Sequence, residues 1–162
     1  MGDYFPKAMQ AAFTWGTNSD TYEMTLKALA NNSAVYGGKC DLGENYEQEY
    51  AVFLLTQYAT APTVNTMQRL FLAWSRDNSA FDGAHPGTNS AATTTNLIQI
   101  PMEFNLVLRA VTTYQQSSWT IVPRSRYVAP ALWNDGTGQA LANVDAQHQI
   151  AIVPARLLRA TT

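Results

Sequence analysis

The chain has 162 residues and a formal net charge of −2, a length that holds one domain with a single core. Only 14% of its residues are charged, against about 25% in an ordinary soluble domain, and nothing in that balance makes a basic surface for nucleic acid. No apolar run reaches the ~18 residues of a membrane-spanning helix, and the single cysteine, Cys40, cannot close an internal disulfide.

Thr, Asn, Gln, Ser and Ala replace the missing charges. A surface of this kind has little electrostatic protection against association, which suits a protein that lives in an assembly. Residues 1–82 carry a charge of −4 and residues 83–162 carry +2, a mild polarity that could orient contacts with a partner. The opening Met1-Gly2-Asp3-Tyr4-Phe5-Pro6 has no basic stretch followed by an apolar one. It does not read as a secretory signal, and Pro6 stands where a myristoylation motif needs Ser or Thr. The expectation is synthesis in a reducing cytoplasm.

Residues 1–24 read as an irregular arm that carries aromatics, with one helical turn expected near Lys7–Ala12. In residues 22–35, Leu26, Leu29 and Ala30 fall at i, i+3 and i+4, which predicts at most a short helix, stopped by Asn31-Asn32. The first strand is expected over 48–58. Tyr50, Val52 and Leu54 point one way and Ala51, Phe53 and Leu55 the other. A strand apolar on both faces is either central in a sandwich or partly covered by a partner.

A second strand is expected over 66–75, with Gln68, Leu70, Leu72 and Trp74 on one face and Met67, Arg69, Phe71 and Ala73 on the other. The stretch from Ser75 to Thr95 has no periodicity, and a loop that long is usually functional or partly disordered. Residues 97–108 alternate, with Ile98, Ile100, Met102, Phe104, Leu106 and Leu108 on one side, and predict a strand in which Pro101 marks a bulge, bend or edge. Further strands are expected over 117–123, over 126–133, over Gln139–Val144 after the turn Asn134-Asp135-Gly136-Thr137-Gly138, and over His148–Pro154. Short strands between turn clusters define an all-β fold, a jelly-roll-like or Greek-key β-sandwich with at most short helices. The domain is expected over 25–155, with a tail over 156–162.

The sequence offers little for catalysis, and no enzyme activity, cofactor or metal is expected. His85 and His148 have no second ligand at metal spacing. Lys39 beside Cys40 could lower the thiol pKa, but no local nucleophile signature accompanies the pair. Asp77-Asn78-Ser79-Ala80-Phe81-Asp82-Gly83 resembles a calcium loop only superficially, with glycine one position late and no closing Glu. Gly136-Thr137-Gly138 lacks the third glycine and following helix of a dinucleotide loop and reads as a hairpin turn. Glu47 and Glu49 read as surface charges rather than a glycosidase pair.

Four stretches taken in order carry a resemblance. They are Leu26-Lys-Ala-Leu29-Ala-Asn-Asn-Ser33 leading through Cys40-Asp41-Leu42-Gly43; Tyr50-Ala-Val-Phe-Leu-Leu55 with its turn at Pro62; Leu70-Phe-Leu-Ala-Trp74 running into Phe81-Asp82-Gly83 and Gly87-Thr88-Asn89; and Arg126-Tyr127-Val128-Ala-Pro130-Ala-Leu-Trp133-Asn134 with Ala140-Leu141 and Ile150-Ala-Ile152-Val-Pro154. Over about residues 25–155 the chain resembles capsid cement (decoration) proteins of tailed bacteriophages. The resemblance implies a virion protein on the outer capsid surface, made in the bacterial host cytoplasm, which bridges major capsid protein subunits and associates with itself as a dimer or trimer. It implies no direct contact with nucleic acid or membrane. Aromatic and Arg side chains dominate interface hot spots, so the expected contact residues are Tyr4, Phe5, Trp15, Phe81, Arg156 and Arg159. The alternative reading is a carbohydrate-binding β-sandwich of the host-attachment or lectin-like kind, in which exposed aromatics stack on sugar.

Overall fold

The computed structural model describes residues 12–16, 22–44 and 46–155. Among these residues eleven strands form two sheets: β1 (Phe13–Gly16), β2 (Tyr22–Glu23), β3 (Ala34–Tyr36), β4 (Cys40–Asp41), β5 (Tyr50–Thr56), β6 (Met67–Ser75), β7 (Ser90–Ala92), β8 (Glu103–Val107), β9 (Gln115–Ile121), β10 (Tyr127–Asp135) and β11 (Gln149–Pro154). One short helix, α1 (Thr94–Leu97), lies between β7 and β8. Among the described residues no helix is long and apolar enough to cross a membrane. Sheet A has the order β2-β1-β11-β5-β9, and sheet B the order β7-β3-β10-β6-β8 with β4 also paired to β10.

The pairing is that of one long hairpin rolled up. β1 pairs antiparallel with β11, β3 with β10, β5 with β9 and β6 with β8, each pair nested inside the one before it in sequence. Rolling then brings β11 beside β5 and β10 beside β6, again antiparallel. Two four-stranded sheets made in this way are a jelly roll. The expected all-β sandwich is therefore the fold.

The core between the sheets follows the period-2 pattern. Tyr50, Val52 and Leu54 of β5 face Leu70, Leu72 and Trp74 of β6 and Val128 and Leu132 of β10 in one buried cluster. The opposite faces of β6 and β10 are also apolar, and Phe71, Ala73, Ala129 and Ala131 form a second buried cluster outside sheet B. The segment between β6 and β8 covers it with Phe81, Leu97 and Ile100. The long loop expected after Ser75 is thus a structured cover, holding a 3-10 turn (Asp82–Ala84), β7 and α1. Gly83 makes its tight turn possible. It has φ +61°, and an added Cβ would sit 2.5 Å from the Asn96 carbonyl oxygen and 2.6 Å from Ile100 Cγ1.

Several expectations are corrected. Leu26, Leu29 and Ala30 do not form a helix, because Ala28 and Asn32 have positive φ and the backbone pairs with the Asn134–Ala142 region instead, Ala28 N–H to Ala142 O and Leu141 N–H to Leu29 O. The strand expected over 97–108 begins only at Glu103. Leu97 and Ile100, three residues apart on a helical turn, seal the cover, while Ile98 is exposed. Pro101 sits at the bend before the edge strand β8. The return expected over Gln139–Val144 is reduced to one bridge, Leu141 with Tyr58. β1 and β2, placed by sequence in the arm, belong to sheet A. The turn expected near Lys7–Ala12 lies outside the described residues except for Ala12.

Candidate interaction surface

The two histidines are held in structural roles. His85 is buried, its Nδ1 accepts from Gly87 N–H at 2.9 Å, and its Nε2 therefore donates to Pro130 O at 2.9 Å. Burial holds its pKa down at about 4. The neutral ring pins the cover loop to β10. His148 is arranged likewise, accepting from Gln57 N–H and donating to Ala142 O at 2.8 Å, and burial lowers its pKa as well. Neither ring faces open space where a substrate could meet it.

Cys40 is buried, and desolvation pushes its thiol up to about 12. The activation that Lys39 could have given does not occur, because burial dominates and the Lys39 ammonium reaches Asn78 O instead. The Asp77 carboxylate accepts from Ser75 Oγ, Ser79 N–H and Ala80 N–H, which hold it below the usual carboxylate range. Asp82 accepts from Trp74 N–H at 3.2 Å. Both acids of the calcium-like loop thus serve as loop struts. Among the described residues no group of three or more His, Cys, Asp or Glu could hold a metal ion.

A buried polar network closes one end of the sandwich. Asn134 Oδ1 accepts from Tyr58 Oη at 2.7 Å, and its Nδ2 donates to the carbonyls of Leu29, Ala30 and Gln139. Gln68 donates to Tyr58 Oη and accepts from Thr56 Oγ1. Elsewhere, Arg126 forks onto Asp41 with two contacts of 2.7 Å, joining β4 to the start of β10. This hydrogen bonding lowers the Asp41 pKa. These groups lock loops, and their partners are within the chain.

The expected contact residues separate. Trp15 is fully buried, stacks on Tyr22 at 5.3 Å and donates from Nε1 to Gly38 O at 2.6 Å. Phe81 is buried under the cover loop. Both are corrected to core residues, drawn inward because each has a matching apolar bed. Tyr4, Phe5, Arg156 and Arg159 lie outside the described residues. The other tryptophans are engaged too: Trp74 is buried, Trp119 packs on Phe104 at 5.2 Å, and Trp133 lies under the Arg69 guanidinium at 5.1 Å.

Among the described residues, no segment forms a second buried cluster over the outer face of sheet A. Strand register sets its side chains in rows. Thr14, Ala151, Phe53 and Ser118 stand abreast, then Gln149, Leu55 and Gln116 on one side, and Val153, Ala51 and Thr120 on the other. No residue in these rows is charged. Phe53, 36% exposed, stands in a groove of about 680 Å³ lined also by Leu55, Gln116, Ser118, Gln149 and Ala151. The sequence already carried this signal in the apolar outer set of β5, whereas the emphasis on arm and loop aromatics missed it.

The fold defines a class, a jelly-roll-like β-sandwich in which, among the described residues, the chain covers the outside of one sheet only. Comparison with known proteins adds nothing to that class, since no family model, curated protein or solved structure matches the chain.

Proposed function

We propose that this chain is a structural binding module that docks on a protein lattice through the outer face of sheet A. In the reading that the cement-protein resemblance suggests, the lattice is the outside of a tailed-phage capsid, and the chain ties neighbouring major capsid protein subunits together against internal DNA pressure. The carrying observation is the uncharged face centred on Phe53. A broad surface of small polar and apolar groups suits a protein partner, whose recognition rests on an apolar centre with a polar rim. A sugar site would need exposed aromatic faces gathered in one place; the four tryptophans are engaged within the chain, and the exposed Phe53 and Tyr46 line separate hollows. Many weak copies on a symmetric shell bind with avidity, so a modest site suffices.

The test is co-sedimentation with assembled capsid shells, comparing the native chain with Phe53→Glu. The reading expects a fixed copy ratio that matches the lattice, better resistance of the decorated shells to heating, and loss of both in the variant. A native chain that stays in the supernatant, or binds without a fixed ratio, overturns it, and glycan arrays would then test the carbohydrate alternative.

A further inference from the structure

Sheet edges expose unpaired backbone groups, and proteins blunt them with short strands, charges or proline. Three of the four edges here follow that rule. β2 and β7 have two and three residues, and β8 carries Glu103 and follows Pro101. The fourth edge, β9, does not. It runs seven residues, Gln115-Gln-Ser-Ser-Trp-Thr-Ile121, without a charge or a proline. Among the described residues only β5 pairs with it.

The flanks of β9 carry a second signal. Tyr114 is 45% exposed and Val122 is 66% exposed. They lie four residues to either side of Ser118, and alternation puts Tyr114, Gln116, Ser118, Thr120 and Val122 on one face. A two-fold axis through Ser118 would bring β9 antiparallel to β9 of a second copy. Ser118 would then face Ser118, Gln116 would face Thr120, and Tyr114 would face Val122, twice over by symmetry. Aromatic with β-branched and hydroxyl with hydroxyl are favourable cross-strand pairs, and no like charges oppose. Val122 itself helps line a hollow of about 410 Å³ with Tyr46, Glu47, Gln48, Glu49 and Pro123, which could take the second copy's tyrosine ring with its hydroxyl toward the carboxylates.

We propose that β9 is a self-association edge, and that two copies of this chain join there into one continuous ten-stranded sheet with its two-fold axis at Ser118. The interface is isologous, as closed dimers require. The proposal stands whatever the outer face of sheet A binds.

Cysteine pairs test both the contact and its register, with Cys40 as a buried, silent background. Under mild oxidation of the full chain, Ser118→Cys should link to itself. Gln116→Cys and Thr120→Cys should each fail alone and link when mixed. Light scattering should give twice the 17.8 kDa of one chain, and Ser118→Lys, which opposes two ammonium groups, should halve that mass while the variant still unfolds in one cooperative transition, its midpoint no longer rising with protein concentration as the native chain's does. A native chain that is monomeric at the highest attainable concentration overturns the proposal. So does a dimer that survives Ser118→Lys, or self-linking at position 116 or 120 in place of 118.

Discussion

The two sheets begin from similar sequences and end differently outside. β5 in sheet A and β6 in sheet B are both apolar on both faces, and each lies between two partner strands. Over β6 the chain supplies its own cover, with Phe81, Leu97 and Ile100 seated on Phe71, Ala73, Ala129 and Ala131. Among the described residues, the Phe53 row of β5 has no such cluster over it, and Phe53 keeps a third of its surface exposed. The same two-faced pattern thus serves stability in sheet B and, on the proposed reading, presentation to a partner in sheet A. What separates the two is whether a long connection crosses the face.

Removing the cover should have the largest effect. Phe81→Ala takes away the ring that seals the second cluster and should cost about 3 kcal/mol, as buried aromatic truncations do. Urea unfolding measures the loss, and hydrogen exchange should show Ser90–Leu97 deprotected first. Gly83→Ala is a companion, because its Cβ would meet the Asn96 carbonyl in a backbone conformation alanine disfavours. If either change left stability intact, the cover would not be what holds sheet B closed.

Acid should loosen the same cover. The folded pKa of His85 is depressed to about 4, below the ~6.5 of an unfolded histidine. The unfolded chain therefore binds the proton first, so the stabilisation is complete above about pH 6.5 and is lost as pH falls towards 4. A shift of that size corresponds to roughly 3 kcal/mol, and His148 acts in the same direction. The urea midpoint should fall across that window, and His85→Gln should flatten part of the slope. A midpoint independent of pH between 7 and 4.5 would contradict the neutral, buried ring.

Sequence legibility divides along the same line. β5, β6, β10 and β11 were readable because their inward sets alternate strictly and local periodicity is enough to find them. The second cluster was half readable. The apolar outer sets of β6 and β10 were visible, but which segment covers them depends on tertiary packing, and Leu97 and Ile100 were absorbed into a strand pattern that continued through Pro101. The Leu26, Leu29 and Ala30 stripe misled for a similar reason. The carbonyls that a helix would use internally are taken by Asn134 Nδ2, more than 100 residues away in sequence. β1 was missed because four residues are too few to show a period. At the surface, residue type misdirected: Trp15 and Phe81 suit an interface by composition, yet the fold had apolar beds for both.

The smallest stability effect belongs to the presented face, where the comparison becomes sharpest. Phe53 sits in the row Thr14, Ala151, Phe53, Ser118, outside the core between the sheets. Phe53→Ser removes a ring that is one-third exposed and leaves no sealed cavity, so its cost should stay at about 1–2 kcal/mol, below that of Phe81→Ala. The contrast with Phe81→Ala is therefore a contrast of function. On the proposed reading, Phe81 supports the fold and Phe53 supports binding. Measuring both variants by urea unfolding and by shell co-sedimentation puts them on two axes. Phe81→Ala should move the first at temperatures where it remains folded and leave the second unchanged, while Phe53→Ser should move the second far more than the first. A loss of stability in Phe53→Ser equal to that in Phe81→Ala would mean that sheet A is covered after all, and that its outer face is core.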